Sequence, residues 1–411
     1  MSLDVRFNRY AGIDVASQTH VVAITNATGD VLVKPAPFAE DAAGYEKLFA
    51  VLGDPSDILV VMEATGHYGR NLFAALNERG FAVAVVNPLR THRFAEEDLR
   101  RAKTDSIDAL GIARFGAQKR PPPTSPADEA TDQMRQLVWL FDRFTQDYGG
   151  RRNQLHRQVD LGFPEFTRHV RTIESHRATT ILAAFPTAAA FNESSYRKLA
   201  ALRSEGKHRH RVGPELARTL IDSARISVGR HHGPAYRTAV HYICEDIAQL
   251  RTRLEELQAE IVRRVREHPI GVLLTTIDGL GPVGAARIIA AVGDPAQFRS
   301  GAALAAYVGA VPGTQRSGLV SPRSASLSPI GNARLRRSLY MTTLGAVRRN
   351  AWLRAYYERL RANGKLPKVA LLAAMRKLLM AVYSVAKHRQ PFVPRLPAKT
   401  EDPSQVTRDH H

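Results

Sequence analysis

The chain has 411 residues, 44% of them hydrophobic and 24% charged, which is enough for two or three domains with cores of their own. Its 58 Lys and Arg against 39 Asp and Glu give a net charge of +19, pointing to a polyanionic partner, most often nucleic acid. The single cysteine, Cys244, excludes an intrachain disulfide framework and a cysteine-based zinc site. The sequence predicts no membrane span and no signal peptide, hence a soluble cytoplasmic protein.

The charge is unevenly placed. Residues 1–127 hold 14 basic and 15 acidic groups, residues 128–268 hold 23 and 18, and residues 269–411 hold 21 and 6. The electrostatic grip therefore belongs to the last third.

The first elements read as strands over 9–15, 19–25 and, after a Gly29-Asp30 turn, 31–33. A helix near 42–52 leads to a fully apolar strand over 58–63. A second helix over about 69–79 leads to a fifth strand over 81–86, ending at Asn87-Pro88. Hairpin-linked strands followed by strands alternating with helices predict a mixed sheet with helices packed on it. Asp14 falls inside an otherwise apolar strand, where a carboxylate is costly unless paired or bound to metal. Glu63 ends another buried strand, where ligands collect in open α/β sheets.

Lys103-Thr104-Asp105-Ser106-Ile107-Asp108-Ala109 reads as a helix start whose two aspartates share one face. Alone it reads more simply as a solvated start, because capping and the helix dipole both favour Asp there. With Asp14 and Glu63 it makes four acids able to converge on one spot. Four such carboxylates ionise together only with cations, and a two-metal site for phosphoryl transfer is the natural solution.

Gly12-Ile13-Asp14, Met62-Glu63-Ala64-Thr65-Gly66 and the heptapeptide 103–109, in that order, resemble the DEDD transposases of bacterial insertion sequences. Their N-terminal domain is similar to the Holliday-junction-resolvase (RuvC-like) version of the ribonuclease-H fold. The resemblance implies that Asp14, Glu63, Asp105 and Asp108 are catalytic and bind Mg²⁺, as two ions. A nucleotide-binding or actin-like sheet with incidental acids is the alternative. His67 and Tyr68 follow the glutamate, with either a role near the site or one in packing or hydrogen bonding.

Arg120-Pro121-Pro122-Pro123-Thr124-Ser125-Pro126 can be neither helix nor central strand. It predicts a linker over 121–129 between a catalytic domain, 1–120, and a helical domain, 130–268. The latter opens on a helix over about 130–159, with Met134, Leu137, Phe141 and Phe144 on one stripe. It closes on a helix over about 240–268, where Ile243, Ile247, Leu250, Leu254, Leu257 and Ile261 keep a heptad spacing. These helices read equally as an antiparallel coiled-coil arm, a seam shared with a second subunit, or a bundle within one chain. The insert 160–239 contains Lys207-His208-Arg209-His210-Arg211 and Gly229-Arg230-His231-His232-Gly233. With no acid or cysteine at ligand spacing, both runs read as basic or solvated loops suited to nucleic acid.

Residues 274–285, with Gly279-Leu280-Gly281 and Gly284, resemble a helix-hairpin-helix element. A Gly-Leu-Gly turn is unobstructed by side chains, and N–H groups opening the next helix, about 283–292, can hold a backbone phosphate. A plain helix–helix turn is the alternative. A loop rich in Gly and Ser follows, then a basic helix whose Arg334, Arg336, Arg337, Arg348 and Arg349 suit phosphates.

By sequence alone Ser317 is one of several loop serines, with Ser321, Ser324, Ser326 and Ser328. The family pattern separates them: Gly-x-x-Pro at 309–312, then Ser317-Gly318, then Gly331-Asn332 before the basic helix. There Ser317, with Arg316 beside it, takes the place of a nucleophilic serine that attacks a DNA phosphodiester. The resemblance further implies a composite site of Ser317 and the N-terminal acids. It also implies guidance by a structured noncoding bridge RNA, donor and target DNA as substrates, and dimers pairing into tetramers at the bacterial nucleoid. Two other classes remain: a junction-resolving nuclease using carboxylates, metal and water without a covalent intermediate, and a nucleic-acid-binding protein without catalysis. A last helix over 368–386 closes a C-terminal domain, 269–388, and residues 389–411 are expected to be a disordered tail.

Overall fold

In the computed structural model, which describes residues 7–64, 66–97, 105–204, 210–310 and 331–394, the chain divides into two units, 1–127 and 128–411. In the first, β1 (Arg9–Asp14), β2 (Thr19–Asn26) and β3 (Val31–Ala39) form an antiparallel meander. β3 runs well past residue 33 in spite of Pro35 and Pro37. It is an edge strand, where a proline leaves no ladder bond unmade. After α1 (Ala42–Leu52), strands β4 (Ile58–Glu63) and β5 (Ala82–Val86) join parallel to β1, giving the order β3-β2-β1-β4-β5. A mixed sheet of this order with packed helices is consistent with a ribonuclease-H-like domain.

Strand parity sorts the core. Ala11, Ile13, Val60 and Met62 face one way, packing with Leu48 and Leu52 of α1 and with Leu72 and Leu76 of α2 (Arg70–Glu78). Tyr10, Leu59, Val61 and Val86 face the other. They pack with Phe94 of α3 (Pro88–Glu97) and with Ile112 and Phe115 of α4 (Asp105–Lys119). Helices on both faces explain why Ile58 through Met62 are buried without alternation. Helix α3 is an addition to the expected elements. Asn87 Oδ1 accepts from the Leu89 N–H at 2.9 Å, and Pro88 occupies the first turn. The Pro-rich segment is laid down rather than loose: the Thr124 N–H donates to Val83 O at 2.7 Å, and the Val85 N–H to Thr124 Oγ1 at 2.9 Å. It thereby covers the free edge of β5.

The second unit is helical. Helix α5 (Glu129–Gly162) is followed by short helices α6 (Phe166–His169), α7 (His176–Ala184), α8 (Ala188–Asn192), α9 (Tyr196–Ala201) and α10 (Pro214–Arg225), then by α11 (Pro234–Glu267). Helices α5 and α11 run antiparallel: Arg264 donates to Gln133 Oε1 at 2.6 Å toward one end, and Arg151 pairs with Asp246 at 3.0 Å toward the other. The pair serves two cores in succession. Leu155, Val159, Ile243 and Ile247 pack with the insert helices around Phe163, Phe166 and Phe191. Met134, Val138, Ile261 and Val265 pack with the C-terminal helices. Leu254 and Leu257, between the cores, stay half-buried.

Those C-terminal helices are α12 (Pro269–Leu274), α13 (Pro282–Val292), α14 (Gly301–Val308), α15 (Ala333–Arg349), α16 (Ala351–Ala362) and α17 (Pro367–His388). By length and composition α17 could cross a membrane, contrary to the expectation that no stretch reaches that length. Its Met375, Leu378, Leu379 and Val382 instead fill the core, and a helix covered on several sides is apolar nearly all round. The tail also departs from expectation in its first residues. Phe392 sets its ring edge-on to Trp352 at 5.1 Å, and its N–H donates to Thr276 Oγ1 at 2.8 Å.

Candidate functional site

The parallel register of β1 and β4 pairs Ile13 with Met62, so the next residues, Asp14 and Glu63, end neighbouring strands side by side. Parity puts both on the face that α3 and α4 cover. Helix α4 lies very close to that face: a Cβ at Gly12 would overlap the Ala109 carbonyl oxygen and the Ala113 nitrogen. Farther along, Gly116 sits against Val61 and Tyr10. The helix therefore runs back along the strands with its first turn, bearing Asp105 and Asp108, toward the Asp14 end. Only glycine at position 12 permits this approach.

Asp14, Glu63 and Asp108 are half-buried rather than buried, which leaves room for solvent to complete a coordination shell. The side chain of Asp105 lies outside the described residues. Among the described residues no group of three or more His, Cys, Asp or Glu is drawn together tightly enough to hold a metal ion. Asp14 and Glu63 share a strand end and a face, and Asp108 stands on the helix that covers that face. Carboxylate oxygens without nitrogen or sulfur are the donors a hard cation such as Mg²⁺ takes, so the residues fit that ion in kind.

Two supporting groups escaped the sequence. Thr91 of α3 is buried, and its hydroxyl reaches Glu63 Oε1 and, at 2.8 Å, the Pro88 carbonyl. The available signal was Asn87-Pro88, which is a helix-start signature as well as a strand end. On the opposite face, the fully buried His20 accepts the Ala16 N–H on Nδ1 at 3.2 Å. That bond puts the ring proton on Nε2, which donates to Glu40 Oε2 at 2.6 Å. Glu40 also accepts from Tyr45 OH at 2.7 Å and from Asn71 Nδ2 at 3.3 Å. Burial works to raise the Glu40 pKa, but the bonds from Tyr45, His20 and Asn71 outweigh it and hold the carboxyl below its ordinary range. The Tyr45 hydroxyl is pushed up by burial and by its bond to Glu40. This network fixes the turn that follows Asp14 immediately. Nothing in sequence spacing links residues 16, 20, 40, 45 and 71. His67 and Tyr68 are exposed, their rings 4.1 Å apart.

In the second unit, the 278–281 turn is pressed onto α15. Gly279 has φ +87°, and a Cβ there would stand 2.5 Å from Ala346 Cα. Asn350 Nδ2 donates to Asp278 O at 3.0 Å. Gly284 is buried, its space closed by Leu280 and by Thr342 of α15. Packing thus accounts for Gly279 and Gly284, while Gly281 is exposed and open. Arg334, Arg337, Arg348 and Arg349 are exposed on α15, and half-buried Arg336 donates to Val308 O at 3.3 Å. The loop that carries Arg316 and Ser317, residues 311–330, lies outside the described residues, as does the Lys207-His208-Arg209 run. The base of the loop is closed: a Cβ at Gly331 would stand 2.6 Å from the Gly309 nitrogen, and the Asn332 N–H donates to Tyr307 O at 3.0 Å. The second His pair is less solvated than its composition suggests. His231 and His232 are half-buried, the former against Tyr236 with ring centres 4.9 Å apart.

Comparison with known proteins gives a consistent picture. A DEDD transposase model matches residues 11–164, and the model of the Transposase IS116/IS110/IS902 family matches residues 272–358. The chain is 26% identical to the insertion element IS110 uncharacterized 43.6 kDa protein of Streptomyces coelicolor, over 95% of this chain and 97% of that one. It is 28% identical to the mini-circle putative transposase for IS117 of the same organism, over 93% and 95%. To the pilin gene-inverting protein of Moraxella bovis it is 24% identical, over 94% and 98%.

Proposed function

From the premise that this chain belongs to the DEDD-type insertion-sequence transposases, and so is a DNA transposase or recombinase, we propose that it cuts and rejoins DNA through four carboxylates and a serine nucleophile. The observation that carries this reading is the acid face. Asp14 and Glu63 end adjacent strands, with the Asp108 turn of α4 drawn toward them by contact at Gly12.

Asp14, Glu63, Asp105 and Asp108 would hold two Mg²⁺ ions, which when bound would supply charge stabilisation at the phosphate and lower the pKa of an attacking hydroxyl. Thr91 and the turn held by His20 orient Glu63 and Asp14. Ser317 Oγ attacks the phosphorus: an Oγ–P bond forms, one P–O ester bond breaks, and the departing strand oxygen takes up a proton as the serine loses one. A second strand's hydroxyl then attacks the phosphoserine, making the new phosphodiester and returning the serine hydroxyl. Arg316, Arg334, Arg336, Arg337, Arg348, Arg349 and the turn bearing Gly279, Gly281 and Gly284 steady the phosphates. Donor and target DNA are selected by a bridge RNA, and dimers pair into tetramers in the bacterial cytoplasm. The excess of basic residues after position 268, 21 against 6 acidic, supports the handling of more than one polyanion.

The test is covalent trapping with the purified chain, the RNA flanking its element and labelled donor DNA. Ser317→Ala and Asp14→Ala are run beside the native chain, with and without Mg²⁺. A denaturation-resistant protein–DNA adduct, lost in both variants and without metal, is the expected result. Metal-dependent cutting that survives Ser317→Ala with no adduct would instead establish the resolvase-like nuclease.

A further inference from the structure

The loop between α10 and α11 shows two large apolar side chains to solvent, Ile226 at 81% and Val228 at 68% exposure. Exposed apolar residues are common on protein surfaces; a rigidly held pair of them is not. Glu165, only 8% exposed, accepts from Ser227 Oγ at 2.6 Å and from the Val228 N–H at 3.0 Å. Ser227 Oγ in turn accepts the Gly229 N–H at 3.1 Å, and the Arg230 N–H donates to Leu161 O at the end of α5. Burial raises the pKa of Glu165, but these bonds outweigh it and keep the carboxyl below its ordinary range. A buried carboxylate is thus committed to the shape of a surface loop, whose β-branched tips are themselves stiff.

The surroundings identify the occupant by charge. Arg225 and Arg230 flank the tips and are exposed, as is Arg168 beside Glu165. Asp222 of α10 is paired with Arg225, and exposed Asp160 precedes the Leu161 carbonyl that holds the Arg230 N–H. Proteins that bind the minor groove use arginine within it and frequently insert apolar side chains between base steps, unstacking and kinking the duplex. We propose that Ile226 and Val228 form a preorganised wedge that enters the minor groove of duplex DNA, with Arg225 and Arg230 on the flanking phosphates. This uses the chain's action on DNA but is independent of the serine chemistry.

The full-length chain is mixed with a mixed-sequence duplex of about 30 base pairs, labelled at both ends for energy transfer and carrying 2-aminopurine at successive positions. The native chain should shorten the end-to-end distance and brighten 2-aminopurine at one step. Ile226→Ser/Val228→Ser should bind several-fold more weakly, with neither signal. Ile226→Leu/Val228→Ile should restore both. Glu165→Gln, which leaves the tips in place but loosens their support, should lower the bend; thermal melts of each variant check its folding. Arg225→Gln/Arg230→Gln should lower affinity and flatten the salt dependence. An unbent duplex with the native chain, or equal bending by the serine double variant, overturns the proposal. So does a serine double variant whose only change is a smaller oligomer, which would make the tips a contact between copies. A chain that bends DNA yet forms no adduct removes the serine mechanism and leaves the wedge standing.

Discussion

The two units solve the placement of functional groups in different ways. In residues 1–127, sheet register does it: one parallel pairing fixes where Asp14 and Glu63 stand, and one close approach at Gly12 fixes the helix that brings Asp108. In residues 128–411, helix faces do it, with Arg334, Arg337, Arg348 and Arg349 of α15 exposed and its other side pressed onto the 278–281 turn. The first unit is nearly neutral in charge, and the last third carries the excess of basic residues. In the function proposed above, the acid-bearing unit carries the chemistry and the helical unit holds the polyanions. A site set by backbone register should tolerate substitution poorly, whereas a site spread over a helix face should degrade gradually.

The sharpest break of that contrast is Gly12→Val. Its Cβ meets backbone that cannot swing aside, so the first unit should lose about 3 kcal/mol or fail to fold. Chemical denaturation reads this, and Gly281→Ala, at an open position, is the control expected to change little. In the second unit, Asp142→Ala strips the partner from Arg287, which pairs with it at 2.5 Å between α5 and α13. Because the pair is largely but not fully shielded, a loss of about 2 kcal/mol is expected by the same measurement.

Glu40→Gln should cost about 1 kcal/mol at neutral pH by weakening the bonds from Tyr45, His20 and Asn71. It should also change the pH profile. A carboxyl whose folded pKa is depressed stabilises the fold above its ordinary value of 4.5, and that stability fades as pH falls through the folded pKa. Unfolding midpoints measured from pH 6 downward should therefore fall less steeply in the variant. Smallest of all, Arg348→Gln on α15 should leave stability unchanged and reduce the slope of log affinity against log salt by about one. A loss of folding stability there would mean that α15 packs through its arginines, contrary to their exposure.

Much of the first unit was written in local pattern. The apolar run 58–62, the Gly29-Asp30 turn and the alternation of strands with helices announce a mixed sheet, and the acids at 14 and 63 stand out because carboxylates are costly in such strands. The heptad spacing of α11 was equally visible, but not its use: Ile243 and Ile247 go to one core and Ile261 to another. Spacing tells which side of a helix is apolar and says nothing of how many bodies that side will meet. The helix expected over 368–386 is α17, but its apolar run is as long as a membrane span, since burial on several sides and residence in a lipid bilayer select the same residues.

By itself, then, the sequence determined element types, the excess of positive charge toward the C-terminal end and the identity of the candidate acids, because propensity, periodicity and charge are local or summed properties. Only the tertiary structure decided which residues support those acids. Thr91 reaches Glu63 from 28 residues away, and His20 joins Ala16 to Glu40, Tyr45 and Asn71 across three elements. Such contacts arise from register and helix docking, which depend on every element at once and leave no periodic trace along the chain.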